Sequence, residues 1–495
     1  MRQQASGLHT ARRRPVARAL AALLGLASLD TAAAPAVTNC NDTGAGSLRD
    51  AVAGASSGEV IELSGLPCST ISLTSGAIAV TQNDLTISGP GSDALEISAK
   101  ATHQSNVITH YGAGTLAVDN LKVTYGHLYM SSSGKYFGGG CIGSLGNLTL
   151  DGVVLDKCQE LLGDNADGRG GAVFALGSLH LNQSTISSSG FGTVYVPVYC
   201  YYTTYGPYGG AGTYCQYRPS IPGTERGGGM FSVGGLNVNL STISANSAGL
   251  GGGIYAAGAA LVKYSTLERN IAGSGGAIAT AGKGTVSIFA SNISQNQTDF
   301  FAGGDSTIEG KVPSSGTPMP IRILNSTLSG NSGSMVVKSA IPVTIYNSTL
   351  ALNYGGAYAL AEINGVVMTD APLTAVSSII ADNSGSDVIL NGSATISGSN
   401  NLINFASSPL PPDTVSACPQ LAPLADNGGP TRSLALRATS PAIDGGADPM
   451  LLADDQRGEN RTFGSAIDIG AYEWSGDIDR IFVGRFDGSR LSCDI

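Results

Sequence analysis

The sequence predicts an all-β chain wound as a single-stranded, right-handed parallel β-helix, closed by an N-terminal helical cap and an irregular C-terminal cap. Three observations predict it. Five segments share a glycine-rich frame, and the last three begin 24 residues apart, at Gly227, Gly251 and Gly275. Between them lie short runs with apolar residues at every second place, such as LNVNLSTIS, which is the period of a half-buried strand. Glycine accounts for 69 of 495 residues with no three-residue period, a composition that excludes collagen and implies many tight turns.

Residues 1–36 read as a signal peptide. A basic start containing Arg12, Arg13 and Arg14 leads into ALAALLGLASL and then AAAPA, so removal is expected near Ala36. Cleavage takes five arginines and Asp30 from totals of 26 basic and 36 acidic residues, leaving a net charge of −14. That acidity argues against nucleic acid as a partner. No later run approaches the roughly 18 apolar residues of a membrane helix. Export to an oxidising compartment favours disulfides. The eight cysteines pair as sequence neighbours in this reading: Cys40 with Cys68, Cys141 with Cys158, Cys200 with Cys215, and Cys418 with Cys493.

Residues 37–58 are expected to form the N-terminal cap. Ser47 can cap a short helix that turns Leu48, Ala51 and Val52 inward and Arg49 and Asp50 outward. Such a cap is needed because a solenoid otherwise ends in an unpaired strand edge.

Residues 59–405 carry the repeats. The frames GGCIGSLG (139–146), GGAVFALG (170–177), GGGMFSVG (227–234), GGGIYAAG (251–258) and GGAIATAG (275–282) supply glycine for turns. A second element follows, as STISANS, STLERN, SNISQN, NSTLSGN, NSTLALN and SSIIADN. It places Ile243, Leu267, Ile293, Leu328 and Leu350 on one face and ends in Asn246, Asn270, Asn296, Asn331, Asn353 and Asn383. One unit cannot bury that face alone. Stacked coils about 4.8 Å apart can, and their asparagines can bond from coil to coil. A β-propeller, with blades of about 40 to 50 residues, has too long a period.

The GGA-apolar tetrad followed by apolar-x-x-Asn resembles the repeat of chlamydial-type polymorphic outer-membrane proteins, with Ile or Leu in place of that family's Phe. The resemblance implies a passenger-like helix. Only 22 residues follow Glu473, too few for that family's membrane barrel. The segment from Asn39 resembles the opening of secreted bacterial β-helix proteins.

Residues 406–474 are expected to be the C-terminal cap, and 475–495 a tail with the apolar patch Ile481, Phe482, Val483 and Phe486. Within the cap, NGGPT, SPAID, DQRG and DIGAYE, spread over 423–473, resemble the choice-of-anchor Q domain. Asp444, Asp455, Asp468 and Glu473 lie among Arg432, Arg457 and Arg461, so paired arginines are expected to fix these loops over the last coil as a structural charge network.

The candidate binding element is the insertion at about 190–224. It holds eight of the 18 tyrosines: Tyr195, Tyr199, Tyr201, Tyr202, Tyr205, Tyr208, Tyr214 and Tyr217. Tyrosine offers stiff contact area with a polar tip, and a Cys200–Cys215 bridge would hold the loop in shape. Its expected partner is a polysaccharide or a cell-surface protein.

No cofactor is required. Calcium has two sets of candidate ligands, Asp444, Asp448, Asp454 and Asp455 in the cap, and Asp164, Asn165 and Asp167 in a polar turn. The alternative function is a polysaccharide lyase or glycoside hydrolase of the pectin-lyase-like fold. Neither the pectate-lyase-like set of acids with a basic residue nor the polygalacturonase-like aspartate cluster is complete here, and no GxSxG or HExxH occurs. No catalytic residue is therefore assigned.

Overall fold

The computed structural model describes residues 36–100, 105–130, 138–162, 167–191, 194–203, 212–220, 225–298, 306–353, 367–448 and 450–476. Residues 1–35 of the expected signal peptide and the tail from 477 lie outside the described residues. Within them the chain is a parallel β-helix. Strands run from Glu59 to Ile403 in four parallel sheets, which the chain visits in a fixed order. Sheet I has 12 strands (Glu59–Glu62 to Ile396–Ser399) and sheet II has 12 (Thr70–Ser72 to Leu402–Ile403). Sheet III has 11 (Ile78–Val80 to Val388–Leu390), and between II and III the middle coils add sheet IV, six strands from His127–Met130 to Gln297–Thr298.

The interior follows from the repeat. Ile243, Leu267, Ile293, Leu328 and Leu350 are direct register partners in sheet II, and all five are fully buried. Equivalent residues of sheets I and III join them in one continuous core. The asparagines form a ladder: the side-chain amide of Asn246 donates to Asn270, and the chain continues through Asn296, Asn331 and Asn353 to Asn383 at 3.0–3.1 Å. Each also accepts the backbone N–H of its counterpart one coil earlier, as Asn270 does from Asn246. A buried turn is thus satisfied without water, which makes asparagine the fitting residue there.

The first glycine of every frame has positive φ, from 67° at Gly275 to 90° at Gly139, a conformation that costs glycine least. The second has another reason. A methyl at Gly228 would collide with the carbonyl oxygens of Ser247 and Gly252.

The N-terminal cap is helix α1, Leu48–Gly54, with Ser47 accepting the Asp50 N–H and Leu48, Ala51 and Val52 buried. Arg49, expected to face outward, is instead a tie. It pairs with Asp42 at 2.6 Å and donates to the carbonyls of Gly76 and Ala77. Disulfides join Cys40 to Cys68 and Cys141 to Cys158. Cys418 is also disulfide-bonded, and Cys493 lies outside the described residues.

The C-terminal cap departs from expectation. Only its start covers the last coil, where Val415 exchanges backbone hydrogen bonds with Ile403 and Asn401. Residues 421–474 run back along the flank of the helix. They touch the turns at Asn400, Ser377, Asn347, Asn325 and Ala290 in successive coils. The reason is a second hydrophobic core. Ala351, Ile379, Ala381 and Leu402 face out from sheet II and pack with Leu421, Leu434, Leu436, Ala442, Ile469 and Tyr472. From Asn292–Ser294 onward every sheet II strand up to Ile379–Ala381 is buried on both faces, whereas Thr266–Glu268 is half-exposed.

Candidate functional site

Chain in excess of the 24-residue unit is inserted in sequence mainly at one point of the coil, between a strand of sheet IV and the next strand of sheet III. Residues 131–137, 163–166, 192–224 and 299–305 all fall there in the order of strands. The described part of 192–224 is an antiparallel pair, Val194–Thr203 with Gly212–Ser220. Its register sets Cys200 opposite Cys215, Tyr201 opposite Tyr214, Tyr199 opposite Gln216, Tyr202 opposite Thr213, Tyr195 opposite Pro219 and Tyr217 opposite Pro197. Six candidate tyrosines thus share one two-stranded ribbon. Tyr205 and Tyr208 lie outside the described residues.

The root of this hairpin is chemically unusual. The fifth place of the glycine frame turns outward on sheet III and carries Phe174, Phe231 and Tyr255 in successive coils. Their rings stack at 5.8 and 5.1 Å. Arg169 and Arg226, paired across coils by a parallel bridge, lie over Phe231 and Tyr255 at 5.7 and 5.5 Å. Both guanidinium groups approach Asp167, at 2.6 and 3.5 Å. Behind them Glu160 is fully buried on the strand Gln159–Leu162. One of its oxygens accepts the Arg169 N–H at 3.0 Å, and the other has no partner. Burial pushes this carboxyl well above the usual range, outweighing the Arg169 N–H. The tyrosine signal was legible beforehand, but Glu160, Arg226 and the aromatic stack were missed. Their available signal was the aromatic residue at the fifth place in GGAVFALG, GGGMFSVG and GGGIYAAG.

The C-terminal charge cluster is an internal brace. Asp455 is 2% exposed and accepts the N–H and Nε of Arg457, both at 2.8 Å, and the N–H of Glu473. Arg457 also lies 3.7 Å over the Tyr472 ring. Asp444 accepts the N–H groups of Ser465 and Ala466, Asp468 those of Asp444 and Trp474, and Glu473 those of Phe463 and Asp468. Arg432, Arg457 and Arg461 were expected to pair with these acids, yet among the described residues only Arg457 forms an ion pair within the segment. Arg461, fully buried, donates to the Gly470 carbonyl and to the Asn347 amide oxygen when that amide is turned toward it. Arg432 reaches out of the segment to Glu268. Carboxylates in irregular glycine-rich loops here do the work of a sheet, by taking up backbone N–H groups.

Among the described residues the candidate calcium ligands do not converge. Asp167 is held by two arginines, Asp455 by Arg457 and Asp448 by the Met450 N–H. Asp164 and Asn165 lie outside the described residues. Among the described residues no group of three or more His, Cys, Asp or Glu is placed to hold a metal ion. Nor is any described helix long and apolar enough to cross a membrane.

The described residues thus define a parallel β-helix with an antiparallel hairpin inserted between a strand of sheet IV and a strand of sheet III. No protein-family model matches the chain, and no curated protein does. Among solved structures, the crystal structure of pectate lyase Pel9A matches at 14% identity, covering 88% of this chain and 96% of that chain with a TM-score of 0.42.

Proposed function

We propose that this is an exported β-helix, displayed or released outside the cell, that binds glycan or cell-surface protein in the manner of an adhesin through its tyrosine-rich hairpin. The observation that carries the reading is that the insertions recur at one point of the coil, between sheet IV and sheet III strands. A repeat protein concentrates recognition where its repeats are interrupted, and ligand contacts favour loops held by a rigid scaffold. The hairpin supplies tyrosine in a described two-stranded frame. The disulfides at both ends of the chain are consistent with an oxidising compartment.

The segment 423–473, which resembles the choice-of-anchor Q domain, supports the same reading as a brace. Asp455, Asp468 and Glu473 are buried and accept backbone N–H groups of the segment itself. The second reading is a polysaccharide lyase or glycoside hydrolase. It is favoured by a buried carboxyl, Glu160, on the same corner as the exposed Asp167.

The test compares the full chain with a variant in which 194–220 is replaced by a short turn, on a glycan array and a panel of matrix proteins. A parallel assay follows reducing ends and unsaturated products. Binding that vanishes with the hairpin, without product release, supports the adhesin reading. Turnover of any polysaccharide, or binding indifferent to the hairpin, overturns it.

A further inference from the structure

The hairpin sorts its own residues between two faces. It forms a two-stranded sheet by itself, joined to no strand of the four parallel sheets among the described residues. In an antiparallel pair, residues directly opposite share a face, and successive pairs alternate between faces. Val196 opposite Arg218, Tyr199 opposite Gln216 and Tyr201 opposite Tyr214 therefore fall on one face. Tyr195 opposite Pro219, Pro197 opposite Tyr217, Cys200 opposite Cys215 and Tyr202 opposite Thr213 fall on the other.

Alternation along the first strand alone would sort them differently. Tyr195, Tyr199 and Tyr201 are separated by even numbers of residues, which in a regular strand puts all three together. The register shifts between Pro197 and Tyr199, leaving Val198 as an extra residue, and a bulge of this kind re-aims the residues that follow it. Tyr199 and Tyr201 thereby part from Tyr195 and join Tyr214, Gln216 and Arg218.

The two faces differ in chemistry. On the first, Tyr214, Gln216 and Arg218 span roughly 13 Å of the second strand, with Tyr199 and Tyr201 roughly 5 Å across from it. Arg218 is the only charged residue in 194–203 and 212–220. The second face pairs its three tyrosines with prolines, cysteines and Thr213, and carries neither amide nor charge. The core of a protein–protein interface is apolar, whereas the first face holds no aliphatic residue between the Val196–Arg218 and Thr203–Gly212 pairs. A sugar matches it better. Its C–H faces suit aromatic rings, its hydroxyls bond with amide and phenol groups, and a carboxylate takes a guanidinium through two parallel bonds. One arginine suits one anionic group. A polyanion would meet repulsion from a chain whose expected mature charge is −14.

We propose that the face carrying Tyr199, Tyr201, Tyr214, Gln216 and Arg218 binds an oligosaccharide with a single acidic sugar, whose carboxylate pairs with Arg218. This rests on the glycan-binding reading of the hairpin and names its face and its ligand class.

The test uses the full chain on an array that holds neutral oligosaccharides beside the same oligosaccharides ended by one carboxylated sugar. The wild type should prefer the acidic member of each bound pair by about tenfold, and added salt should shrink that preference. Arg218→Gln should abolish the preference, and Gln216→Glu, which sets an acid beside Arg218, should do the same. The triple variant Tyr199→Ala/Tyr201→Ala/Tyr214→Ala should weaken binding of every member by at least about tenfold. Tyr195→Ala/Tyr202→Ala/Tyr217→Ala removes as many rings from the other face and should weaken it far less. The two single substitutions keep the test decisive where a triple variant fails to form the hairpin. Equal losses in the two triple variants overturn the inference, as does a wild type without acidic preference or a preference that survives in Arg218→Gln. Matrix-protein binding through the hairpin with no glycan bound overturns this inference and leaves the adhesin reading standing. Binding by the chain that lacks 194–220 overturns the adhesin reading itself.

Discussion

Arg432 pairs with Glu268 across 164 residues of sequence. The contact ties the far edge of the C-terminal segment to a coil well inside the helix, where Arg432 also approaches the Ser294 hydroxyl. With Arg269 on the same carboxylate at 2.5 Å, Glu268 marks where the covered part of sheet II gives way to the half-exposed part. The pair is partly open to solvent, so its deletion by Arg432→Ala should cost only about 0.5–1 kcal/mol. That loss should appear as faster exchange at Thr431 and Arg432 rather than as global unfolding. Unchanged exchange there would show that the apolar contacts alone hold the edge.

Ile379 should matter more. It points away from the main core yet is fully buried under the segment. Ile379→Ala is expected to destabilise the docking of 421–474 by about 3 kcal/mol. Ile380→Ala, one residue on and facing the main core, should destabilise the coils instead. Limited proteolysis distinguishes them, since only the first should release the C-terminal segment while the helix resists.

The asparagine ladder predicts a gradient. Asn296 is fully buried, accepts two bonds from Asn270, and donates to Leu267 and Asn331. Asn296→Ala strands several buried partners and should cost roughly 3 kcal/mol in denaturant unfolding. Asn383, half-buried at the ladder's end, should cost less. Equal losses at the two sites would remove the ladder as the cause.

The two ends should respond to pH in opposite senses. Burial pushes Glu473 up to about 7 and Asp468 up to about 6, against the N–H groups they accept. Their native forms hold protons more tightly than the unfolded chain, so their contribution is fully present below the ordinary carboxylate range, is lost as pH rises through about 6 and about 7, and changes no further toward pH 8. At Asp42 burial also pushes upward, but Arg49 and the N–H groups of Thr74 and Ser75 outweigh it and hold the carboxyl well below the usual range. That contribution is present above the ordinary aspartate value and is lost in stronger acid. Hydrogen exchange at pH 3, 5 and 8 should show the two trends crossing; parallel trends would refute the assignment.

Cys141 and Cys158 are buried in the main core and close a loop of 17 residues. Replacing both by alanine should lower stability by about 3 kcal/mol. A reductant should bring the wild-type melting temperature down to that of the variant.

Much of this was legible residue by residue. The repeat spacing alone puts Ile243, Leu267 and Ile293 in one column and the asparagines in another, as the register has them. The tandem isoleucines of SSIIADN also imply a second covered face. A strand cannot bury both Ile379 and Ile380 unless each of its faces is covered, and the second cover is the C-terminal segment. Glu160 gave no sign at all, since QELL reads as an ordinary polar strand.

The sequence by itself determined the winding, because each coil packs on a near copy of itself and local alternation therefore dictates which side chains face inward. Only the tertiary structure decided that residues 421–474 turn back along the flank and that Glu160 loses its water. Those outcomes depend on contacts between segments as far apart as Asn325 and Asp454, 129 residues away, which no repeating pattern encodes.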